Sequence, residues 1–103
     1  MIYRLLETKR AKIHIEKLVG YLLFEFKSDQ AAKHLLDEIK KIYIRLKEAP
    51  EQFPYCEDSY LKDKKYRKAV LSTMNYTVIF KIEEMTVYVV GIFHDSENYS
   101  DKL

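Results

Sequence analysis

The C-terminal part of the chain has the hydrophobic pattern of a β-sheet. In residues 76–83 apolar side chains alternate with a mixed set, the period-two pattern of a strand with one face in a core. The apolar set is Tyr76, Val78, Phe80 and Ile82, and the mixed set is Thr77, Ile79, Lys81 and Glu83. In residues 87–93 the side chains that point to either face of the strand are apolar, apart from Gly91. This pattern is typical of a central strand covered on most of both sides. Residues 65–94 therefore predict three consecutive antiparallel strands.

The N-terminal half predicts one strand followed by two helices. Residues 2–7 suit a first strand, and Thr8 is a helix N-cap residue. The first helix has an apolar stripe at three- and four-residue spacing, made of Ala11, Ile15, Leu18, Val19, Leu22 and Phe26. Ser28 and Asp29 interrupt the pattern, and a second helix begins near Gln30 and ends before Pro50. Its stripe is Ala32, Leu35, Leu36, Ile39, Ile42, Tyr43 and Leu46.

These elements predict an α+β fold of the order β-α-α-β-β-β. Two long helices with a short connection form an antiparallel hairpin, which packs on one face of a small, mainly antiparallel sheet. The face bearing Val78 and Phe80 should receive the hairpin's apolar side chains, including Leu18, Leu22, Leu35, Leu36 and Ile39. Residues 50–63 contain both prolines and several aromatics and predict an irregular loop. The opposite face of the sheet is expected to stay open.

Length, composition and cysteine usage narrow the class of protein. A chain of 103 residues predicts a single domain over residues 1–103. The single cysteine, Cys56, has no partner for an internal disulfide or a thiolate metal site, and His14 and His34 lack partners at metal-binding spacing. We therefore expect no metal or cofactor. The N-terminus lacks a signal-peptide pattern and no segment is apolar enough to span a bilayer, so we expect a cytoplasmic protein without a membrane partner.

Charge is distributed unevenly, although the net charge is only +2. Residues 62–68 hold five basic residues and one acidic residue, whereas the tail after His94 holds three acidic residues and one lysine. The basic residues Lys62, Lys64, Lys65, Arg67 and Lys68 form a candidate surface for an acidic protein or a phosphate backbone. Arg67 and Lys68 fall on opposite faces of one strand, so at most one of them joins Lys81 on the open face. The alternative is that both are solvated charges that protect an edge strand from aggregation.

Several stretches together resemble the RelE/ParE family of bacterial toxins, and the resemblance covers nearly the whole chain. They are the helical sequence at residues 31–39, the Glu-Ala-Pro helix end followed by Phe53-Pro54, and the strand sequences at residues 66–68, 75–82 and 87–94. The resemblance implies a toxin that a cognate antitoxin inactivates by laying a helix or strand across its surface. RelE-like members are ribosome-dependent endonucleases of messenger RNA that use arginines, lysines and a C-terminal tyrosine. ParE-like members have a similar fold and inhibit DNA gyrase.

The resemblance also identifies candidate catalytic residues. An arginine commonly follows the tyrosine of the second of the three strands in RelE-like nucleases, and here Thr77 takes that place. A basic cluster usually follows the last strand, and here Asp95 and Ser96 follow it. The residues that remain as catalytic candidates are Arg67, Lys81, His94 and Tyr99, with Lys68 beside them. Each of two candidates also has a structural interpretation. His94 is then a capped residue at a strand end, and Tyr99 is a ring packed on the sheet.

Because the cations that RelE-like nucleases carry at the positions of Thr77 and Asp95 are absent, the sequence favours a ParE-like inhibitor of DNA gyrase over a RelE-like nuclease. A third hypothesis is a degenerate member that only binds its antitoxin. Whether the protein is an enzyme stays open, as does homodimer formation. We expect the antitoxin to bind through the open sheet face and the exposed side of the hairpin, with the basic residues 62–68 contributing.

Overall fold

The computed structural model describes residues 2–103. Within them a four-stranded sheet is accompanied by three helices. The strands are β1 (Arg4–Glu7), β2 (Arg67–Val70), β3 (Tyr76–Glu83) and β4 (Thr86–His94). The helices are α1 (Lys9–Gly20), α2 (Asp29–Glu48) and the short α3 (Ser59–Asp63). Short 3-10 turns lie at Pro50–Gln52 and Tyr99–Asp101.

The sheet has the strand order β1-β4-β3-β2. β1 runs parallel to β4, while β2, β3 and β4 form consecutive antiparallel pairs. Within β4, Val89 lies opposite Phe80 and Gly91 lies opposite Ile79, so the ladder contains an irregularity at Val90. The predicted α+β class, the mainly antiparallel sheet and the central position of residues 87–93 are confirmed.

Both long helices begin at the predicted caps. The Thr8 hydroxyl accepts a hydrogen bond from the Ala11 amide (3.1 Å), and the Ser28 hydroxyl accepts one from the Ala31 amide (3.0 Å). Each hydroxyl satisfies an amide that has no carbonyl partner in the first turn of its helix. These caps fix where the two helices of the hairpin start.

The first helix ends differently from the prediction. The α-helix stops at Gly20 and continues as a π-helical segment over Tyr21–Glu25, followed by Lys27 in the left-handed region (φ 55°). The wider turn rotates the following side chains away from the sheet, so Phe26 is 63% exposed. Its predicted place in the apolar stripe is therefore wrong.

The main core lies between the helical hairpin and one face of the sheet, as predicted. α2 buries Leu35, Ile39 and Leu46 against the face that carries Val78 and Phe80. Leu18 and Leu22 of the first helix also pack against this core. Leu36 is 45% exposed, so its predicted burial is wrong. Leu36 lies about 100° around the helix from Leu35, on the edge of the buried stripe.

The second face of the sheet is also covered, which contradicts the expected open face. Ile79, Val90 and Phe93 form a second core with the buried Cys56 and Leu61. The partly buried Tyr66, Tyr99 and Leu103 pack against this cluster. The second face therefore receives the segment before β2 and the C-terminal tail.

Residues 50–63 are more regular than the predicted loop. They include the 3-10 turn at Pro50–Gln52 and α3, which begins where the Asp58 carboxylate accepts a hydrogen bond from the Leu61 amide (3.1 Å). Backbone bonds from Cys56 to Tyr66 and from Lys68 to Pro54 join residues 54–56 to the start of β2. This segment partly covers the outer edge of β2 and holds Leu61 in the second core.

Candidate functional site

The predicted catalytic residues lie at three separate places. Arg67 lies beside Phe53, and the Phe53 ring packs against Phe80 of the main core. Lys81 and Tyr99 are associated with the second face, through Tyr66 and Phe93 respectively. His94 lies at the end of β4, beside Tyr76 and the turn of the helical hairpin. The structure therefore does not assemble Arg67, Lys81, His94 and Tyr99 into one site, although it places Lys68 near enough to Tyr99 for its charge to oppose the rise in the pKa of Tyr99.

Arg67 is engaged by the segment that precedes its strand. Its Nη1 donates hydrogen bonds to the carbonyl oxygens of Phe53 (2.7 Å) and Glu51 (3.2 Å). Its guanidinium lies 4.0 Å from the centroid of the Tyr55 ring, within the range of a cation–π interaction. Through these contacts Arg67 holds residues 51–55 against β2.

The two lysines of the second face are paired with carboxylates. Lys68 Nζ lies 3.0 Å from Glu57 Oε1, and Lys81 Nζ lies 2.9 Å from Glu83 Oε1. The hydrogen bond to Glu57 raises the pKa of Lys68, and the one to Glu83 raises the pKa of Lys81. Both amines are therefore held in the charged form, in which they cannot serve as general bases.

Tyr99 stacks on Phe93, with ring centroids 5.4 Å apart. Burial is the main cause that raises the pKa of Tyr99, followed by the nearby Cys56. The phenol is therefore protonated at neutral pH. The contact with Phe93 agrees with the alternative in which Tyr99 is a ring packed on the sheet.

Thr77 and Asp95, at the positions where the resemblance to RelE-like nucleases implies cations, are in contact with each other. The hydroxyl of the buried Thr77 donates a hydrogen bond of 2.7 Å to Asp95 Oδ1. The Asp95 amide donates to the Asn75 carbonyl (2.9 Å), so the loop after β4 is tied to the start of β3. Where a nuclease would need positive charge, this pair presents a carboxylate.

An aromatic groove lies between the turn of the hairpin and the strand ends. It encloses about 480 Å³. The residues that line it are Tyr21, Leu22, Phe26, Ala31, Thr73, Met74, Asn75, Tyr76 and His94. His94 packs edge-on against Tyr76 (5.4 Å between centroids), and its Nδ1 lies 2.7 Å from Ser96 Oγ. His94 is thus held at the strand end by its contact with Ser96, and it also lines the aromatic groove.

The sequence pattern does not predict this groove, because it places Phe26 in the apolar stripe of a regular helix. The signal was present in the density of aromatics at residues 21–26, where Tyr21, Phe24 and Phe26 exceed what one buried stripe accommodates. Phe24 is 75% exposed. Large exposed rings beside a concave surface are typical of protein-binding sites.

The outer side of α2 presents a second exposed apolar surface. Leu36 and Ile44, which are eight residues apart and therefore on one side of the helix, are 45% and 53% exposed. On α1, Ile13 is 39% exposed. We call the side of α2 that carries Leu36 and Ile44 the outer hairpin surface.

The predicted basic cluster divides into two parts. Lys68 and Arg67 are engaged by Glu57 and by backbone carbonyls, as described above. Lys62, Lys64 and Lys65 are exposed at the end of α3, where none forms a salt bridge with a described residue. Lys64 Nζ lies over the Tyr60 ring, 5.2 Å from its centroid. Only these three lysines remain available to an acidic partner.

The described residues, 2–103, show no ionised thiol, no metal-binding cluster and no membrane-spanning helix. Burial raises the pKa of Cys56 to about 11, so its sulfur is a protonated thiol in the second core. Within residues 2–103, no three His, Cys, Asp or Glu side chains are grouped closely enough to hold a metal ion. In the same range, no helix has both the length and the apolar character of a membrane span.

Comparisons with known proteins place the chain in a family. No curated protein matches it. Among solved structures, a chromosomal ParDE toxin–antitoxin system from P. aeruginosa contains a chain of similar fold, with a TM-score of 0.70 and 14% sequence identity. The similarity covers 90% of this chain and 96% of that chain. The family model described as the ParE toxin of the type II toxin–antitoxin system parDE matches residues 5–99. Because this match extends over most of the sequence, the chain belongs to the ParE toxin family.

Proposed function

We propose that this ParE-family toxin arrests growth by binding DNA gyrase in the cytoplasm, without cleaving RNA. The observation that carries the proposal is the separation of Arg67, Lys81, His94 and Tyr99. Cleavage of RNA by its own 2′-hydroxyl requires a base, a cation for the phosphorane charge and an acid for the leaving oxygen. These groups must act on one phosphate, and the candidates lie at three places.

The local environment of each candidate supports the same proposal. Arg67 is held by carbonyls, Lys81 by Glu83, and Tyr99 by its stack on Phe93. Thr77 and Asp95 add no positive charge. By analogy with loss of an oxyanion-hole donor, each missing cation costs on the order of 2–4 kcal/mol of transition-state stabilisation. Loss of two such groups makes cleavage too slow to stop translation.

Gyrase inhibition is tested by comparing two purified reactions. We expect the toxin to inhibit supercoiling of relaxed plasmid by gyrase and to leave messenger RNA intact on translating ribosomes. Addition of the antitoxin encoded beside the toxin gene should restore supercoiling, which controls for contaminating inhibitors. Cleavage of ribosome-bound messenger RNA would contradict the proposal and favour the nuclease. Failure to affect either reaction, combined with tight antitoxin binding, would favour a member that only binds antitoxin.

We also propose that the cognate antitoxin lies across the outer hairpin surface. The second sheet face, which was expected to receive it, is occupied by Cys56, Leu61 and Tyr99. The exposed Leu36 and Ile44 provide apolar side chains, and burial of apolar surface is the dominant favourable term in most protein–protein association. Lys62, Lys64 and Lys65 provide charge that accelerates association with an acidic partner.

The antitoxin surface is tested by two sets of substitutions. Leu36→Asp with Ile44→Asp should weaken antitoxin binding by about tenfold or more, because a carboxylate buried in an interface loses its hydration. Val70→Asp with Met85→Asp, at exposed apolar positions outside the hairpin, is the matched control. Replacement of Lys62, Lys64 and Lys65 by Gln should slow association and reduce its salt dependence. Unchanged affinity of the Leu36/Ile44 variant, measured by calorimetry, would exclude this surface.

A further inference from the structure

His14 has an unusual environment on the inner side of α1. Its ring packs edge-on against Phe93, with centroids 4.9 Å apart. A Cβ atom at Gly91 would lie 2.7 Å from Phe93 Cε2 and 3.0 Å from His14 Nδ1, so the glycine leaves room for both rings. His14 Nδ1 is buried and has no hydrogen-bond partner among residues 2–103. A buried nitrogen without an acceptor is best left unprotonated, which places the proton of the neutral ring on Nε2.

His14 lines a cavity of about 200 Å³ between α1, the end of β4 and the C-terminal tail. The apolar walls are Leu18, Ile92 and Phe93, and the polar walls are His14, Lys17, Glu97 and Lys102. The cavity is distinct from the aromatic groove, because the two share none of the residues that line them. The volume exceeds that of a single water molecule several-fold.

Positive charge predominates around this cavity. Lys17 and Lys102 line it, and Arg10 lies close by, where its Nη1 donates a 2.6 Å hydrogen bond to the Lys102 carbonyl. The single carboxylate of the lining, Glu97, already accepts hydrogen bonds from Lys102 Nζ (2.6 Å) and from the His94 amide (3.0 Å). Lys102 retains two further N–H donors beyond that bond.

The pKa of His14 reflects the same environment. Burial is the main cause that lowers it, and the charge of Arg10 is the next. Lys17 and Lys102 act in the same direction, whereas Glu97 opposes them. The imidazole is therefore neutral at pH 7, with a proton available to donate from Nε2.

We propose that this cavity binds a dianionic phosphate group, either inorganic phosphate or a small phosphate monoester. Lys17 and Lys102 supply the compensating charge, and His14 Nε2–H supplies a directed hydrogen bond. Leu18, Ile92 and Phe93 accommodate the apolar portion of an ester. With the neighbouring Arg10, the two lysines carry three positive charges against the one negative charge of Glu97, so a dianion balances the excess of two. A phosphodiester supplies only one negative charge and a continuing chain at both ends.

The proposal is tested by NMR titration of the full chain with inorganic phosphate at constant ionic strength. The chain has three histidines, so the Cε1–H signals of His34 and His94 serve as internal controls for that of His14. Phosphate should shift the His14 signal selectively and raise the pKa of His14 by about one, because a bound anion stabilises the imidazolium. Absence of a shift, or equal shifts at all three histidines, would overturn the proposal.

Variants and other anions identify the site and the ligand class. Lys17→Gln with Lys102→Gln should weaken phosphate binding by about tenfold or more, while Lys33→Gln with Lys40→Gln should leave it unchanged. The four lysines are exposed, so both variants should fold, and circular dichroism verifies this. Phenyl phosphate, whose ester group is apolar, should bind at least as well as inorganic phosphate. Stronger binding of a single-stranded oligonucleotide without terminal phosphates, or an unchanged response of the Lys17/Lys102 variant, would contradict the dianion site.

Discussion

At the scale of single residues, Glu38 connects the helical hairpin to the strand turn that forms one wall of the aromatic groove. Its side chain is buried, and its Oε1 accepts hydrogen bonds from Ser72 Oγ (2.7 Å), Thr73 Oγ1 (2.9 Å) and the Thr73 amide (3.2 Å). Thr73 also contacts His34 on α2. A carboxylate that satisfies three donors fixes a turn which has no regular secondary structure of its own.

Glu38→Gln should destabilise the fold at neutral pH. The hydrogen bonds from Ser72 and then Thr73 lower the pKa of Glu38, so the folded state favours its ionised form. The stabilisation is therefore present above the pKa of the unfolded chain and is lost as the pH falls through the lower folded pKa. Thermal unfolding should show a lower midpoint for the variant at pH 7 and a smaller difference at acid pH. Asp37→Asn, at the exposed neighbour, is the control, and an equal effect of both substitutions would contradict the assignment.

Adjacent leucines of α2 provide a second comparison. Leu35 is fully buried, and Leu36 is 45% exposed. Leu35→Ala should lower the free energy of unfolding by about 2–5 kcal/mol through lost burial and a residual cavity. Leu36→Ala should cost less than about 1 kcal/mol, because its side chain remains largely in water. Urea denaturation measures both, and equal losses would place the two side chains in the same environment.

The pair also shows how far the sequence determines burial. Three- and four-residue spacing identified the stripe through Ala32, Leu35, Ile39, Ile42 and Leu46, all of which are buried. It did not exclude Leu36, because the width of a buried stripe depends on how the sheet lies against the helix. That orientation is a property of the assembled fold.

At the scale of elements, the connection between the hairpin helices departs from regular geometry. The π-helical segment ends with the Phe26 amide bonded to the Tyr21 carbonyl (2.9 Å), and Lys27 then adopts a φ of 55°. The left-handed region is unfavourable for a residue with a Cβ, and helices commonly end on glycine there. The sequence predicted a break at Ser28 from its capping ability, but Lys27 gave no sign of the backbone reversal.

Lys27→Gly should stabilise the protein by about 1 kcal/mol, because glycine adopts a positive φ without the steric cost of a side chain. Lys33→Gly, at an exposed position inside α2, should destabilise it by about 1 kcal/mol, since glycine is a poor helix residue. Chemical denaturation of the two variants gives opposite signs if the backbone conformation is the cause. Destabilisation by both would show that Lys27 does not hold a positive φ in solution.

The cover on the second face illustrates another limit of the sequence. Apolar side chains on both faces of residues 87–93 correctly predicted a strand covered on two sides. The cover itself comes from Cys56 and Leu61, which lie in a segment without helical or strand periodicity. Contacts between such a segment and a distant strand depend on the path of the loop, so local patterns carry little information about them.

At the scale of the whole molecule, element order was predictable and the candidate site was only partly so. Capping residues and hydrophobic periods defined the helices and strands, and each acts within a few positions along the chain. The placing of Arg67, His94 and Tyr99 depends on which strand ends and segments meet in space. The sequence listed candidate residues of suitable chemistry, and the structure separates them.

This separation gives opposite expectations for Tyr99→Phe and Tyr99→Ala. The phenylalanine retains the stack on Phe93, so a toxin that acts by binding should still arrest growth when it is expressed without antitoxin. The alanine removes a half-buried ring from the second core and should lower the free energy of unfolding by about 1–3 kcal/mol. Urea denaturation and growth curves on the same variants distinguish folding from function. If the phenylalanine variant folds with wild-type stability and yet permits growth, the hydroxyl itself is required and a catalytic role for Tyr99 is restored.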